Sequence, residues 1–552
     1  LNLHVLQVAI TIIYGKSVMP GINKVQFIVT AVSLSVMVVA GGLYWGGWWK
    51  EASAQPDETL QSDISSFISE KMAAEKIPGV AVVVVQDAQV IYLEGFGTAS
   101  LKNPSPVTPQ TVFDLASCTK SFTALAVLLL RDDGLVDLDL PVNHYLPNFK
   151  TADPETAKEI TVRQLLYHSS GLPGTFAEPL AFHSGDDAMD KLVASLDKVH
   201  LDRPPGSSFE YSNLNYSLLG AIIEKVSGVK FEEYLKQRVF VPLGMTHTTM
   251  VPSEADVMDR ADGHQLLFGH VITRNIPIYR SIVPAGWVMS TAEDMGKWLI
   301  VQLNDGRIDG RQVIPAEAIE EMHTPGVSYE ERGEGVSYGM GWFIGLSDTG
   351  LTIVWHSGDT SNFAADMVLV PEKQLGVAVL VNSQNSSDVH SIAPHIASLL
   401  LQQELVLPTA PWWGSWRSAD NMAIAAAATS VAAFVALVLY LWWRWRRFRR
   451  QRTAYLRSVR GRTLRIWHVA LPLTPLLLLA SALAAIYVVV WLLFGFNLFR
   501  MVMRFGNFAP PGVWIAGWMT FGVISIWALA LAGQVLFWYW IRHRVTKLSS
   551  QG

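Results

Sequence analysis

Three stretches toward the C-terminal end, Asn421–Trp443, Ile466–Phe496 and Val513–Trp540, contain no Asp, Glu, Lys or Arg. As helices, each is long enough to cross a hydrocarbon core of about 30 Å. Hydrocarbon offers the backbone no hydrogen-bond partner, so a helix is the structure such a run can adopt there. Soluble cores rarely hold three runs of this length and purity in succession, and the pattern predicts a three-helix transmembrane domain over 419–552. Aromatic residues mark the ends of the runs, Trp442 and Trp443 in the first and Trp538, Tyr539 and Trp540 in the last, as at a membrane–water boundary. Pro472 and Pro475 predict a kink near the cytoplasmic end of the second run.

Charge orients these runs. The segment Arg444–Arg465 holds ten arginines and no acid, the composition of a cytoplasmic loop under the positive-inside rule rather than of a nucleic-acid patch. Everything N-terminal to Asn421 then lies outside, and the tail with Arg542, Arg544 and Lys547 lies inside. Near the N-terminus, Val25–Trp49 is an uncharged run of 25 residues between Lys24 and Lys50, and Lys24 gives the same orientation. The following Ala52-Ser53-Ala54-Gln55 has the small-x-small pattern of a cleavage site, so residues 1–56 read equally as a signal peptide or as a retained anchor. Met19 is the first methionine, which leaves a non-methionine start codon or an over-extended reading frame as explanations for residues 1–18. The expected location is the cell membrane, multi-pass, with residues 57–405 as an extracytoplasmic domain and 406–418 as a linker rich in Pro and Trp.

That middle stretch has ordinary mixed composition and is long enough to bury a large core. The net charge of −5 averages an acidic middle with the arginine-rich segment, and nucleic acid is not an expected partner. A single cysteine, Cys118, excludes an internal disulfide and a cysteine zinc cluster. Residues 57–76 show helical spacing of Ile64, Phe67, Ile68 and Met72. Val80–Gln86 and Gln89–Phe96 read as strands joined by a turn at Asp87-Ala88. Helical and loop segments follow to about Gln312. Four strands, Gly339–Gly345, Leu351–His356, Ala364–Val370 and Leu375–Val381, and a helix over 389–403 close the domain. Strands at both ends with helices between predict an α+β fold with one antiparallel sheet assembled from the two termini.

Ser117-Cys118-Thr119-Lys120 is S-x-x-K at the head of an apolar helix. Positions i and i+3 share a helical face, so the amine reaches the hydroxyl, and the helix N-terminus supplies N–H groups to developing negative charge. The same spacing recurs at Ser195–Lys198 and Ser227–Lys230, but only Ser117 precedes a long apolar helix. Tyr211-Ser212-Asn213 is the one Y-x-N. A tyrosine beside a lysine can take a serine proton. His356-Ser357-Gly358 ends a predicted strand, where the glycine permits close approach of a substrate backbone. Asp114 stands one turn before Ser117, either to attract a cationic substrate group or to cap the helix. Cys118 reads as a small residue turned inward rather than as a reactive thiol.

The order S-x-x-K, Y-x-N, H-x-G resembles class C β-lactamases and their relatives, the penicillin-binding proteins, D-aminopeptidases and serine esterases. The segments L-L-Y-H-S-S-G-L-P (165–173), P-G-S-S-F-E-Y-S-N-L-N-Y-S-L-L-G (205–220), P-L-G-M (242–245), P-A-G-W-V-M-S-T-A-E-D-M (284–295) and H-S-G-D-T-S-N-F (356–363) are also similar to that family. The resemblance implies a β-lactamase/transpeptidase-like antiparallel sheet flanked by helices, with an all-helical region. It implies acylation of Ser117, proton handling by Lys120 and Tyr211, and a substrate amide held by Asn213. The N–H groups of Ser117 and Asp359 would form an oxyanion hole, with no metal and no cofactor. His356 stands where β-lactamases and transpeptidases carry lysine, which favours peptides or esters without a carboxylate there. An extracytoplasmic domain of this kind followed by three apolar helices resembles the prodrug-activating D-asparagine peptidases, which remove an N-acyl-D-asparagine cap from a secreted nonribosomal peptide. Ser212 and Asn362 are the candidate asparagine-binding residues. The rival readings are an esterase or a β-lactamase- or D-aminopeptidase-like hydrolase of the cell envelope, and a penicillin-sensing or envelope-remodelling membrane protein. The implied partners are an acylated peptide or ester and the lipid bilayer, with export machinery or a second copy of the chain as further candidates.

Overall fold

A computed structural model describes residues 58–174, 182–330, 333, 335–384, 387–405, 407, 416–458, 515–520, 522–523 and 525–527. The runs Val25–Trp49 and Ile466–Phe496, and most of Val513–Trp540, lie outside the described residues.

Helix α1, Glu58–Glu75, leads into β1, Gly79–Gln86, and β2, Gln89–Gly97. Asp87 and Ala88 both have positive φ, the backbone of a tight hairpin turn whose twist matches the strands. Further on come α2 (Thr119–Asp132), α3 (Asn213–Ser227), the hairpin β3–β4 (His264–Leu267 and His270–Thr273) and α4 (Ala292–Leu303). Short strands β5 (Val327–Ser328) and β6 (Ser337–Tyr338) precede β7 (Phe343–Leu346), β8 (Thr352–Asp359), β9 (Ala364–Val370) and β10 (Leu375–Val381). Helix α5, Ile392–Leu401, and the long α6, Trp416–Ser458, follow.

The sheet runs β2-β1-β10-β9-β8-β7-β6-β5, and its recorded pairings are antiparallel. Strand β1 pairs with β10, Val80 opposite Val381, so strands from the two ends of the domain share one antiparallel sheet, as expected. Side chains of β1 alternate between two cores. Ala81, Val83 and Val85 join α2, α3 and α4 on the front face, and Val80, Val82 and Val84 join α1 and α5 on the back. Covered on both faces, β1 reads as a continuous apolar run rather than an alternating one. On the front, α2 is buried all round from Thr119 to Leu130, with Phe122 stacked on Trp298 of α4 at 4.0 Å between ring centroids.

Of the expected strand Gly339–Gly345, Phe343–Gly345 belongs to β7, while Gly339–Trp342 is a turn between β6 and β7, closed by Gly339 N–H donating to Trp342 O at 2.8 Å. Gly341 has φ +82°, and a Cβ there would lie 2.8 Å from the Lys120 carbonyl oxygen. Only a residue with no side chain lets this turn seat against the first turn of α2.

Residues Asp420–Trp443 of α6 are long and apolar enough to cross a membrane, and Phe434, Val438, Leu439, Trp442 and Trp443 are exposed along them. The helix begins at Trp416, inside the expected linker, and continues to Ser458 through most of the arginine-rich segment. Arginine is a good helix former, and no Gly or Pro interrupts the chain there. Ser430 Oγ meets Thr520 Oγ1 at 3.0 Å, a polar contact between two apolar helical segments. At its head, α6 is tied to the domain. The Asp420 carboxylate accepts from the backbone N–H groups of Phe268 (2.8 Å) and Gly269 (2.6 Å) at the tip of the β3–β4 hairpin, and Arg417 pairs with Glu75 at 2.5 Å. Removing a buried charged acceptor leaves its donors unsatisfied. Asp420→Ala is therefore expected to speed amide hydrogen exchange at Phe268 and Gly269 by about tenfold or more, the equivalent of roughly 1.5 kcal/mol. Unchanged protection of those two amides would show that the tie does not hold the hairpin.

Candidate active site

Ser117 sits in a single 3₁₀ turn, Ala116–Cys118, at the mouth of α2. Ala116 has φ +47°, a left-handed conformation that costs an alanine energy and survives where surrounding packing enforces it. The enforcing contact is β8. A Cβ on Gly358 would stand 2.3 Å from Leu115 O and 2.9 Å from Ser117 N, so the strand lies directly against the turn.

Strand β7 pairs only with Thr352–Trp355 of β8, and His356–Asp359 runs past its end. The hairpin that follows fixes which groups point that way. Thr360 N–H donates to Phe363 O, and Asp359 pairs with Ala364 in the next register position. Antiparallel pairs alternate between hydrogen-bonded and non-hydrogen-bonded. The Asp359 N–H is accordingly turned away from β9, toward the edge beside Ser117.

Lys120 is fully buried. Its Nζ donates to Ser117 Oγ (3.1 Å), Asn213 Oδ1 (2.7 Å) and Ala285 O (2.7 Å), which engages all three hydrogens of an ammonium group. The same nitrogen lies 4.8 Å from the ring centroid of Tyr211. Thus Ser117, Lys120, Tyr211 and Asn213, drawn from two distant motifs, converge on one nitrogen.

Residues 64–401 match a family model described as Beta-lactamase. The chain belongs to the β-lactamase family. It is a serine hydrolase of this family, similar to penicillin-binding proteins. Protein flp of Staphylococcus aureus (strain COL) is 26% identical over 371 residues, covering 67% of this chain and 72% of flp. Penicillin-binding protein 4 of Amycolatopsis lactamdurans is 30% identical over 315 residues, 55% of this chain and 81% of that protein. Among solved structures, the octameric penicillin-binding protein homologue from Pyrococcus abyssi aligns with a TM-score of 0.55 at 32% identity, covering 66% of this chain and 81% of that one. A class C β-lactamase aligns at 0.54 and 21% identity, covering 63% and 98%, a likeness of fold.

Four candidate residues named from the sequence have side chains engaged elsewhere. Asp114 neither reaches the site nor caps α2. It is buried in a short strand beside Met289 and paired with Arg260 at 2.9 Å. Burial raises its pKa, and Arg260 opposes the rise. Ser212 Oγ donates to Pro173 O at 2.6 Å. The Asn362 amide donates to Arg274 O (2.9 Å) and accepts from Thr360 Oγ1 (3.0 Å), so both ends of the amide hold loops together. The His356 ring is buried, with Nδ1 2.7 Å from Ser357 O and Nε2 3.2 Å from the Tyr338 hydroxyl. Its ring is thus engaged inside the fold rather than presented to the site. Cys118 is buried, its Sγ donating to His356 O at 3.2 Å. Burial and the nearby Asp366 and Asp359 push its thiol well above the usual range.

Two contributors went unnamed at the level of motifs. The Ala285 carbonyl lies in the P-A-G-W segment, and no residue type marks a backbone acceptor. His168, in L-L-Y-H-S-S-G-L-P, packs its ring 4.5 Å from that of Tyr211. Its Nδ1 takes hydrogen bonds from Ser212 N (3.2 Å) and Asn215 Nδ2 (2.9 Å). Burial, then the charge of Lys120, holds its pKa well below that of a free imidazole, and a neutral ring braces the tyrosine. A histidine three residues before a glycine turn at Gly171 was the signal available for it.

Gly358→Ala is expected to lower the rate of covalent labelling at Ser117 by about 10²-fold or more, because a displacement near 1 Å at a reacting centre has that effect. Labelling at the wild-type rate would mean that strand and turn separate freely. The buried thiol carries its own expectation. Native protein treated with iodoacetamide should stay unmodified at Cys118 by mass spectrometry and react once unfolded; modification of the folded chain would contradict the burial.

Proposed function

We propose that this chain is a membrane-anchored, extracytoplasmic serine amidohydrolase or peptidase that cleaves an acylated peptide or ester through an acyl-enzyme on Ser117. The supporting observation is the hydrogen bonding of Lys120 Nζ to both Ser117 and Asn213, beneath the ring of Tyr211. In this reading Tyr211, as a phenolate beside the Lys120 ammonium, takes the hydroxyl proton as Ser117 Oγ attacks the substrate carbonyl carbon. The carbonyl oxygen becomes an oxyanion held by the N–H groups of Ser117 and Asp359, and loss of one such donor costs about 3–4 kcal/mol. The tetrahedral intermediate collapses, the carbon–nitrogen or carbon–oxygen bond breaks, and the same proton passes to the leaving group. A water then gives a proton to Tyr211 and attacks the acyl carbon. Acid is released and the proton returns to Ser117.

Substrate class follows from charge. Where a lysine would present a cation to a carboxylate, His356 has its ring buried, which favours substrates without a carboxylate at that position. Membrane anchoring is supported by the apolar span of α6, and the arginine-rich segment after it supports an extracytoplasmic domain. Within acylated substrates, the N-acyl-D-asparagine cap of a secreted nonribosomal peptide is supported by the three apolar runs of the sequence. It draws nothing from Ser212 or Asn362, whose polar side-chain atoms are occupied.

Ser117→Ala is expected to abolish labelling by a fluorophosphonate probe and to lower turnover by about 10⁴-fold or more. Retained labelling would place the nucleophile elsewhere. N-myristoyl-D-asparaginyl amides, nitrocefin and short-chain esters separate the substrate readings. Hydrolysis of nitrocefin or short esters alone would remove the prodrug reading, and a stable acyl-Ser117 without turnover would replace the hydrolase by a sensor.

A further inference from the structure

Behind the sheet, on the face opposite Ser117, a histidine lies between two carboxylates. His390 belongs to the 3₁₀ turn Ser387–Ser391 that precedes α5. Its Nε2 is 2.9 Å from both carboxylate oxygens of Asp359, and its Nδ1 is 2.9 Å from both of Asp366. Asp359 ends β8, and Asp366 lies on β9 opposite Ser357. A carboxylate only accepts, so a ring bonded on both sides carries two N–H groups and is an imidazolium. The arrangement joins the end of β8 to β9 through side chains, at the point where backbone pairing with β7 has stopped.

We propose that His390 is a positioning residue for the reaction: by gripping Asp359 and Asp366 it holds the end of β8 at the height where the Asp359 N–H meets the oxyanion. The proposal rests on the reading of that N–H as an oxyanion donor. Gly358, between the gripped residue and His356, already touches the Ser117 turn, so there is little slack for the strand to move without disturbing the serine.

The device is sensitive to pH. The two carboxylates lift the pKa of His390 well above that of a free imidazole, against the opposing effect of burial. Burial raises Asp366, and His390 draws it back. Of the titratable groups on the elements packed around this turn, Asp388 in the turn, His395 on α5, and Asp63, Glu70 and Lys71 on α1 are not among the causes of the shift; Asp359 and Asp366 are. From the front face, Cys118 is the group that senses both carboxylates. A histidine whose folded pKa is raised contributes fully below its unfolded pKa and loses that contribution as pH rises through the folded value. The grip therefore holds at neutral pH and fails on the alkaline side, where two uncompensated carboxylates repel.

The experiment uses the full chain in membranes or detergent, with the rate of fluorophosphonate labelling at Ser117 and the kcat and KM of a hydrolysed amide or ester measured against pH. His390→Gln is expected to lower kcat and the labelling rate by on the order of 10²-fold with little change in KM, and to erase the alkaline limb. Asp366→Asn, which keeps the shape and removes one carboxylate, is expected to move that limb to lower pH while the protein folds normally. An alkaline limb unmoved in Asp366→Asn, or a His390→Gln variant whose loss lies in KM alone, would overturn the positioning role. If His390→Gln does not fold, Asp366→Asn alone decides. A wild type that is not labelled at Ser117 would remove the oxyanion reading and this proposal together; a labelled wild type with an unmoved limb removes the positioning role and leaves the hydrolase reading standing.

Discussion

Lys120 brings an amine to a place without solvent contact, and a charged nitrogen is tolerated there only if its hydrogens meet acceptors. Those acceptors come from residues 3, 93 and 165 positions away in the chain. One is the serine in the turn that leads into its helix, one opens α3, and one is a carbonyl of the P-A-G-W segment. The three-way contact requires α2 to sit inside the helical region and α3 to begin where it does. Gly341 lets the turn before β7 press on the first turn of α2. The fold of the front half can be read as the set of placements that satisfies this one nitrogen.

The sheet serves the same point from the other side. Strand β8 outruns β7, and its last residues face the Ser117 turn at a separation only glycine permits at position 358. Side chains on the two faces of this strand have different tasks. His356 and Gly358 lie toward the helical region, while Ser357 and Asp359 lie toward α1 and α5, where Asp366 and His390 meet them. A strand edge left open for substrate is also a strand with fewer bonds holding it, so support from behind has a physical motive.

Much of the architecture was legible beforehand, and the reasons differ by element. Strands β9 and β10 and helix α1 announced themselves through periodicity and continuous apolar runs, which reflect burial and little else. The region from Gly339 to Gly345 misled, because a glycine turn between two short strands has the same composition as one longer strand. The shared spacing of Ser117 and Lys120 was readable because it is local. Asp114, Ser212 and Asn362 were not, since each is a polar residue near the motifs whose side chain is spent on Arg260, a proline carbonyl or neighbouring loops. Proximity in sequence says where a side chain starts and not which partner claims it.

By itself the sequence determined the apolar segments, the charge asymmetry around them, the apolar helix that follows Ser117 and one sheet assembled from the domain's two ends. These follow from the period of hydrophobic residues and from local geometry, which few neighbours can override. Tertiary structure decided that Ala285 lends a backbone oxygen, that His168 braces Tyr211, that Asp420 ties α6 to a hairpin tip and that His390 bridges two aspartates. Each depends on groups brought into contact across long stretches of chain, and such meetings are settled by packing, which no one-dimensional pattern records.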